Sequence, residues 1–455
     1  MTRWLRTSAA NLALLAASAV ATLLLLDLVL FPRLLTRVPL KLQPELREPA
    51  LRTLAQSSKA AAVPKGDWIA LAGDSYAAGQ GDWFRSVDQN RNPPFHSGHL
   101  IQEATGRDVL SFGHSGAGSL RALVSEPIGQ RAYLNRTWLY EITDPADLLI
   151  YFYPGNDLTD NLEDLRKRWD GRHTRADLED EQAFRAFLED RVLGEAKAWR
   201  QAGSFRTREN FFLARNLRYA LTRRARALLG GAPEDVDVAT RVGESGGAKE
   251  GGGAEESGGA EESGGVEESG GGEGGARREK AKLRNRMLAG DGVVAVGRPL
   301  RAPGVVLGDD EMETGLEVFR RSARFLAEHF PDTRIHVVHL PSPAATYRHE
   351  TGEVWVFATY FRERDAVFPS ARVMARSDFV CEEVAAFAEA EGFGFVDVRP
   401  YARTAAEKAV LHGPIDWRHF NRAGQEMLAS AAVDLLEGRS PAGCGRLGEG
   451  PPSRP

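Results

Sequence analysis

The stretch Trp68-Ile-Ala-Leu-Ala-Gly73-Asp74-Ser75-Tyr76 decides how this chain is read. An apolar run breaks at a glycine and presents a serine, which describes a buried strand ending in a loop. In an open α/β sheet, ligands bind beyond the carboxyl ends of the strands, so Ser75 stands where chemistry is usually done. A helix starting near Ala77 would turn the Ser75 N–H toward any oxyanion the serine creates. Asp74 and Ser75 are also preferred helix caps, and taken alone that reading is the better one.

Working outward, four further runs have the same shape: Asp108 to Phe112, Asp147 to Tyr153, Arg334 to Leu340 and Gly394 to Val398. Each ends in a loop rich in Gly, Pro, Ser or Asn. Helical patterns with apolar residues three and four apart separate them, notably Glu313 to Phe330 and Ser377 to Glu391. Strands alternating with helices predict an α/β fold, a five-stranded parallel sheet covered on both faces.

The span 162–307 interrupts the alternation. Its first part, to Leu229, carries Arg, Asp, Glu and aromatics at helical spacing and is expected to form a helical subdomain or lid. Over 243–276 the composition collapses to Gly, Glu, Ser and Ala, with Gly-Gly-Ala-Glu-Glu-Ser at 252 repeated at 258. Almost nothing apolar is available there to offset chain entropy, so the tract is expected to be a disordered acidic linker. The expected organisation is an anchor and stem over 1–64, a domain built from 65–161 and 308–438, the insertion between them, and an unstructured tail over 439–455.

Asn11 to Phe31 is nearly continuously apolar and flanked by arginines, about the length that crosses a bilayer. The expectation is an uncleaved transmembrane helix with the following domain periplasmic or otherwise extracytoplasmic; a cleaved signal peptide is the rival. A formal charge of −5 with no basic stripe speaks against nucleic acid as a partner. Cys381 and Cys444 lack metal-site spacing, and a disulfide and two free thiols both stay open.

Three more features fall on loops after strands or before the last helix. Gly116, in Gly113-His-Ser-Gly116-Ala-Gly118, would let a backbone N–H approach a reacting carbonyl. Asn156, in Pro154-Gly155-Asn156-Asp157, could donate its side-chain amide, although each sequence is also an ordinary turn. Asp416-Trp417-Arg418-His419, before a helix at Gln425 to Glu437, spaces a carboxylate and an imidazole so that one orients the other toward a serine.

In this order and at these strand ends, the four blocks resemble the SGNH hydrolases, the GDSL esterase and lipase family. The resemblance covers roughly residues 66–162 and 310–437. It implies a flavodoxin-like topology, Ser75 as nucleophile, Asp416 and His419 as the base pair, and an oxyanion hole from Ser75, Gly116 and Asn156. Tyr76 replaces the name-giving leucine, Ser111 the asparagine that often opens the second block, and Pro154 the usual third-block glycine. The Gly-Asn-Asp form looks like membrane-anchored bacterial members, some acting on cell-envelope polysaccharides. The implied reaction is cleavage of an acyl ester, of a carbohydrate in one version, through an acyl-enzyme and with no metal or organic cofactor. Two other readings stand beside it: an O-acyltransferase using the same site, and a non-catalytic envelope scaffold. Trp83, Phe84 and Trp417 could line an acceptor surface or pack in the core.

Overall fold

The computed structural model describes residues 2–30, 58, 63–64, 66–81, 96–136, 142–172, 174–194, 284–357, 365–441 and 443–445. Its centre is a parallel sheet of β1 (Ile69–Gly73), β2 (Val109–Ser111), β3 (Asp147–Phe152), β6 (Arg334–His339) and β10 (Gly394–Asp397). They lie in the order β10-β6-β3-β1-β2, so the chain starts in the interior, moves to one edge, then crosses back and builds toward the other. The register sets Gly73 of β1 against Tyr151 of β3, and Phe152 of β3 against His339 of β6. The ends of β1, β3 and β6 are thereby brought level.

Successive strand residues point to opposite faces, and both faces are apolar. Ala70, Ala72, Leu148, Ile150, Phe152 and Val337 pack with Leu316 and Phe319 of the helix Asp309–His329 and with Val380, Val384 and Phe387 of the helix Ser370–Ala390. Ile69, Leu71, Leu149, Tyr151, Val338 and Val396 pack with Ile101 of the helix Ser97–Thr105 and with Leu428, Ala431 and Leu435 of the helix Arg422–Leu436. Burying each such large side chain contributes roughly 1.5–3 kcal/mol relative to exposure, so a slip of one residue in strand register would be strongly resisted.

The helix Asp157–Arg168 passes through residue 162 and is followed by the short helices Arg175–Leu178 and Glu181–Phe187. Phe184, Phe187, Leu188 and Val192 join the first of the two hydrophobic clusters, so this part is fastened to one face of the sheet. Trp169 stacks on Phe187 at 5.2 Å between ring centroids. The tract 243–276 lies outside the described residues.

The last part of the span 162–307, beyond the stretch expected to be helical, holds an antiparallel hairpin, β4 (Asn285–Ala289) with β5 (Gly292–Val296). The reason is a period of two: Asn285, Met287 and Ala289 are buried while Arg286 and Leu288 face solvent. β7 (Arg348–His349) adds to β4, and β8 (Glu353–Val356) pairs with β9 (Ala366–Pro369). Asn285 ties the two small sheets together, its amide accepting from Trp355 N at 2.8 Å and donating to Trp355 O at 2.8 Å.

The expected free tail is also different over its first residues. Cys444 forms a disulfide with Cys381 on the helix Ser370–Ala390, and Gly445 N donates to Asp397 Oδ2 at 2.9 Å. Before it, Arg439 pairs with Asp434 at 2.7 Å.

At the other terminus, the helix Thr2–Leu25 runs into a π-helical turn, Leu26–Leu30. Leu12, Leu14, Leu15, Val20, Leu24 and Leu25 are exposed on it. Among the described residues no helix is long and apolar enough to cross a membrane, so the expected spanning helix is not among these elements.

Candidate active site

Gly73 closes β1 with φ of +146°, and a Cβ there would stand 2.7 Å from the Tyr151 carbonyl oxygen. Only glycine fits that approach, so the chain leaves the sheet at once and Asp74 and Ser75 follow on a tight turn. Ala78 N donates to Asp74 O at 3.0 Å and Gln80 N to Ser75 O at 2.9 Å. The helix expected near Ala77 is therefore a single turn over residues 75–79. It stops because Gly79 takes φ of +74°, with the His96 imidazole occupying the place of a Cβ.

The loop 411–421 brings the base. Its ends are closed on each other, Asn421 N donating to Leu411 O at 2.8 Å, and the Tyr347 hydroxyl accepts from Leu411 N at 2.9 Å and His412 N at 3.1 Å. Burial pushes the His412 imidazole down to about 3, so it stays neutral beneath the loop. Phe420 is fully buried, edge-on to Tyr76 at 5.2 Å, and Asn421 caps the final helix through Gly424 N at 3.2 Å. The Tyr76 hydroxyl donates to Arg418 O at 2.8 Å. The residue after the serine thus holds the loop that carries the histidine.

The three residues expected to act together meet. His419 Nε2 is 2.8 Å from Ser75 Oγ, and His419 Nδ1 is 2.7 Å from Asp416 Oδ2. Asp416 is buried, and its other oxygen accepts from Arg418 N at 2.9 Å, so the carboxylate is oriented before it touches the ring. This is the connectivity of nucleophile, base and orienter. Ser75 Oγ has a second neighbour, Asp74 Oδ2 at 3.1 Å, and one hydroxyl proton cannot serve both acceptors. Burial pushes the Asp74 carboxyl up, opposed by the Tyr76 N–H, which donates at 2.9 Å, and by His419. A proton kept on Asp74 would donate to Ser75 Oγ and leave the serine proton to His419.

The two expected oxyanion donors sit on neighbouring loops. Gly116 is exposed with φ of +66°, a conformation glycine takes without strain. Its loop is held against the serine turn by His114 N donating to Gly73 O at 3.1 Å and by the Ser111 hydroxyl on Ala77 O. Ser111, standing where the asparagine of the second block was expected, therefore fastens that loop. Asn156 precedes the helix Asp157–Arg168, yet its side chain does not cap it. Asn156 Nδ2 donates to Asp160 Oδ2 at 2.7 Å. The amide keeps a second hydrogen, which has no partner among the described residues.

Asp160 was not among the expected site residues, and Asn161 beside it has a part too. Asn161 is fully buried; its oxygen accepts from Ser119 N at 2.6 Å and its nitrogen donates to Gly315 O at 2.9 Å. It clamps the Gly116 loop to the helix Asp157–Arg168. The signal in the sequence was the four-residue spacing of Asn156 and Asp160, which puts both on one side of a helical turn. Trp417 is half-buried against the core and its ring lies where a Gly413 Cβ would be, so packing is its part here. Trp83 and Phe84 lie outside the described residues. His339, Cys381 and Asp397 come within 4.8 Å of one another, but Cys381 is bonded to Cys444 and Asp397 to Arg399, which leaves no thiolate to ligate a metal.

No protein-family model, curated protein or solved structure matches this chain.

Proposed function

We propose that the protein is a serine esterase of the SGNH type, cleaving an acyl ester through a covalent acyl-enzyme. The observation that carries the proposal is the unbroken chain Ser75 Oγ, His419 Nε2, His419 Nδ1, Asp416 Oδ2, with links of 2.8 and 2.7 Å. The sheet supports it: counted along the chain, its five strands lie in the order 2-1-3-4-5, the flavodoxin-like order, and Ser75 follows the strand at its switch point.

In this reading His419 takes the Ser75 proton as Oγ attacks the ester carbonyl. Asp416 keeps the proton of the ring on Nδ1 and stabilises the imidazolium that forms. The N–H groups of Ser75 and Gly116 and the free amide hydrogen of Asn156 receive the oxyanion. His419 then protonates the departing alcohol, and a water, deprotonated by the same imidazole, releases the acid. No step calls for a metal or an organic cofactor.

The reading includes attachment to a membrane by the N-terminal helix, supported by its exposed leucines. It places the catalytic domain outside the cytoplasm, supported by the Cys381–Cys444 disulfide, a bond that persists in oxidising compartments. Hydrolysis is preferred to acyl transfer because the described helices of the insertion pack on a face of the sheet. The deciding assay is aryl acetate cleavage by wild type and Ser75→Ala: the variant should fold and lose at least about a thousandfold in kcat. Equal rates would remove Ser75 from the reaction.

A further inference from the structure

Asn156 stands at the N-cap of the helix Asp157–Arg168, where an asparagine ordinarily turns its side-chain oxygen onto the first unpaired N–H groups of the helix. Here it makes no such bond. The helix is fastened to its backbone instead, Asn156 O accepting from Asp160 N at 2.8 Å and from Thr159 Oγ1 at 2.7 Å. The side-chain nitrogen goes to the same residue, Nδ2 donating to Asp160 Oδ2 at 2.7 Å. Residues 156 and 160 are thus joined both by backbone and by side chain across one helical turn. Asn156 Oδ1 is closed to solvent and meets no donor, so among the described residues Asp160 alone fixes this amide.

A forgone cap is a local loss of stability, and such losses mark places where a side chain is needed elsewhere. The last torsion of an asparagine is broad and roughly two-fold, so an amide with no fixed partner samples both orientations. One orientation offers an N–H to an oxyanion; the other offers a carbonyl oxygen, which repels it. An ionised carboxylate accepts and does not donate, so it selects the orientation with Nδ2 toward Asp160. Burial pushes the Asp160 carboxyl up to about 7, against the Asn156 bond and the Arg301 charge, which pull it down; above that pH the acceptor is the carboxylate. Because the amide is planar, holding one of its hydrogens also fixes where the second points. The next residue, Asn161, accepts from Ser119 N on the Gly116 loop, so a single helical turn supports both expected oxyanion donors.

We propose that Asp160 is a positioning residue for the reaction: by holding one amide hydrogen of Asn156 it sets the other on the oxyanion formed at the ester carbonyl. The proposal rests on the esterase reading and adds to it a residue that acts only through Asn156. The oxyanion exists only after attack on the carbonyl, so a misaimed donor weakens the transition state and leaves substrate binding nearly as it was.

The test is a double-variant cycle on 4-nitrophenyl acetate near pH 8, above the Asp160 value of about 7. It compares wild type, Asp160→Ala, Asn156→Ala and the protein carrying both changes, with a melting curve for each. Asp160→Ala should lower kcat about 10–100-fold while KM stays within about twofold of wild type. In the Asn156→Ala background the same change should alter kcat by less than about twofold, since no amide is left to aim. A role in the fold alone would multiply the two losses and put the double variant about tenfold or more below Asn156→Ala. That result overturns the proposal, as does an Asp160→Ala protein with wild-type kcat. If Asp160→Ala does not fold, Asp160→Ser, whose hydroxyl returns to a carbonyl of its own helix, takes its place in the cycle with the same outcomes. Ser75→Ala keeps the two claims apart. Cleavage that persists in it removes the esterase reading and the proposal together. Cleavage that vanishes in it while the cycle comes out additive removes Asp160 and leaves that reading standing.

Discussion

Two groups of buried carboxyls hang from the carboxyl ends of strands in the same sheet, and they are in opposite electrostatic condition. Asp397, the last residue of β10, accepts from Arg399 N, Nε and Nη2 at 3.0–3.1 Å and from Gly445 N at 2.9 Å, with His339 at 3.5 Å. Those partners outweigh burial and hold its carboxyl far below the usual carboxylate range. Asp74, Asp157 and Asp160, beyond β1 and β3, are pushed upward by burial, and Asp74 adds its own charge against the other two. A saturated cluster holds the chain together. An unsaturated one, next to a serine and an imidazole, is where shifted protonation can serve chemistry.

Breaking each cluster should therefore give different kinds of loss. The largest effect falls on turnover: Asp416→Asn, which spoils the tautomer of His419, should lower kcat about 10³–10⁴-fold with a melting curve near that of wild type. Steady-state kinetics beside thermal unfolding checks it. Next comes the saturated cluster, where Arg399→Met leaves the buried Asp397 without its guanidinium partner. It should cost about 3–5 kcal/mol of stability in denaturant unfolding, with kcat of the remaining folded protein unchanged. Asn156→Ala should lower kcat about 10²–10³-fold while KM changes little, as the loss of one oxyanion donor does.

The smallest effect sharpens the comparison by its sign. With its folded-state value near 7 against an ordinary 3.8, Asp160 binds a proton more tightly folded than unfolded. Its stabilising contribution is complete below about pH 4 and is lost as pH rises toward 7. Asp160→Asn cannot titrate, so urea midpoints across that window should fall in wild type relative to the variant. Asp397 must behave the other way. Its contribution is present at neutral pH and is lost as acid protonates it, so wild type should weaken relative to Asp397→Asn below about pH 4.

The sequence made the sheet legible because each of its strands is an apolar run bounded by turn residues. Ile69–Gly73, Val109–Ser111 and Gly394–Asp397 fall within a residue or two of the runs that announce them. The small antiparallel sheets were not legible, since Asn285-Arg-Met-Leu-Ala is too short and too polar to distinguish from helix by pattern. Ser75, Asp416 and His419 could be proposed together because each follows a strand or precedes a helix in an order that a known chemistry uses. The contacts that hold the loop of His419 against the serine turn could not. They join segments more than three hundred residues apart, as where the Tyr76 hydroxyl donates to Arg418 O, and one-dimensional spacing carries no trace of them. The pairing of Cys381 with Cys444 was undecided for the same reason, being a matter of where the chain end returns.

The central claim is that Ser75 is a nucleophile activated by His419, and intact-protein mass spectrometry after exposure to a fluorophosphonate tests it most directly. The account predicts one adduct per chain, located by peptide mapping at Ser75, absent in Ser75→Ala and formed far more slowly in His419→Ala. Folded wild-type protein that gains no adduct, or gains it at another residue, would contradict the account.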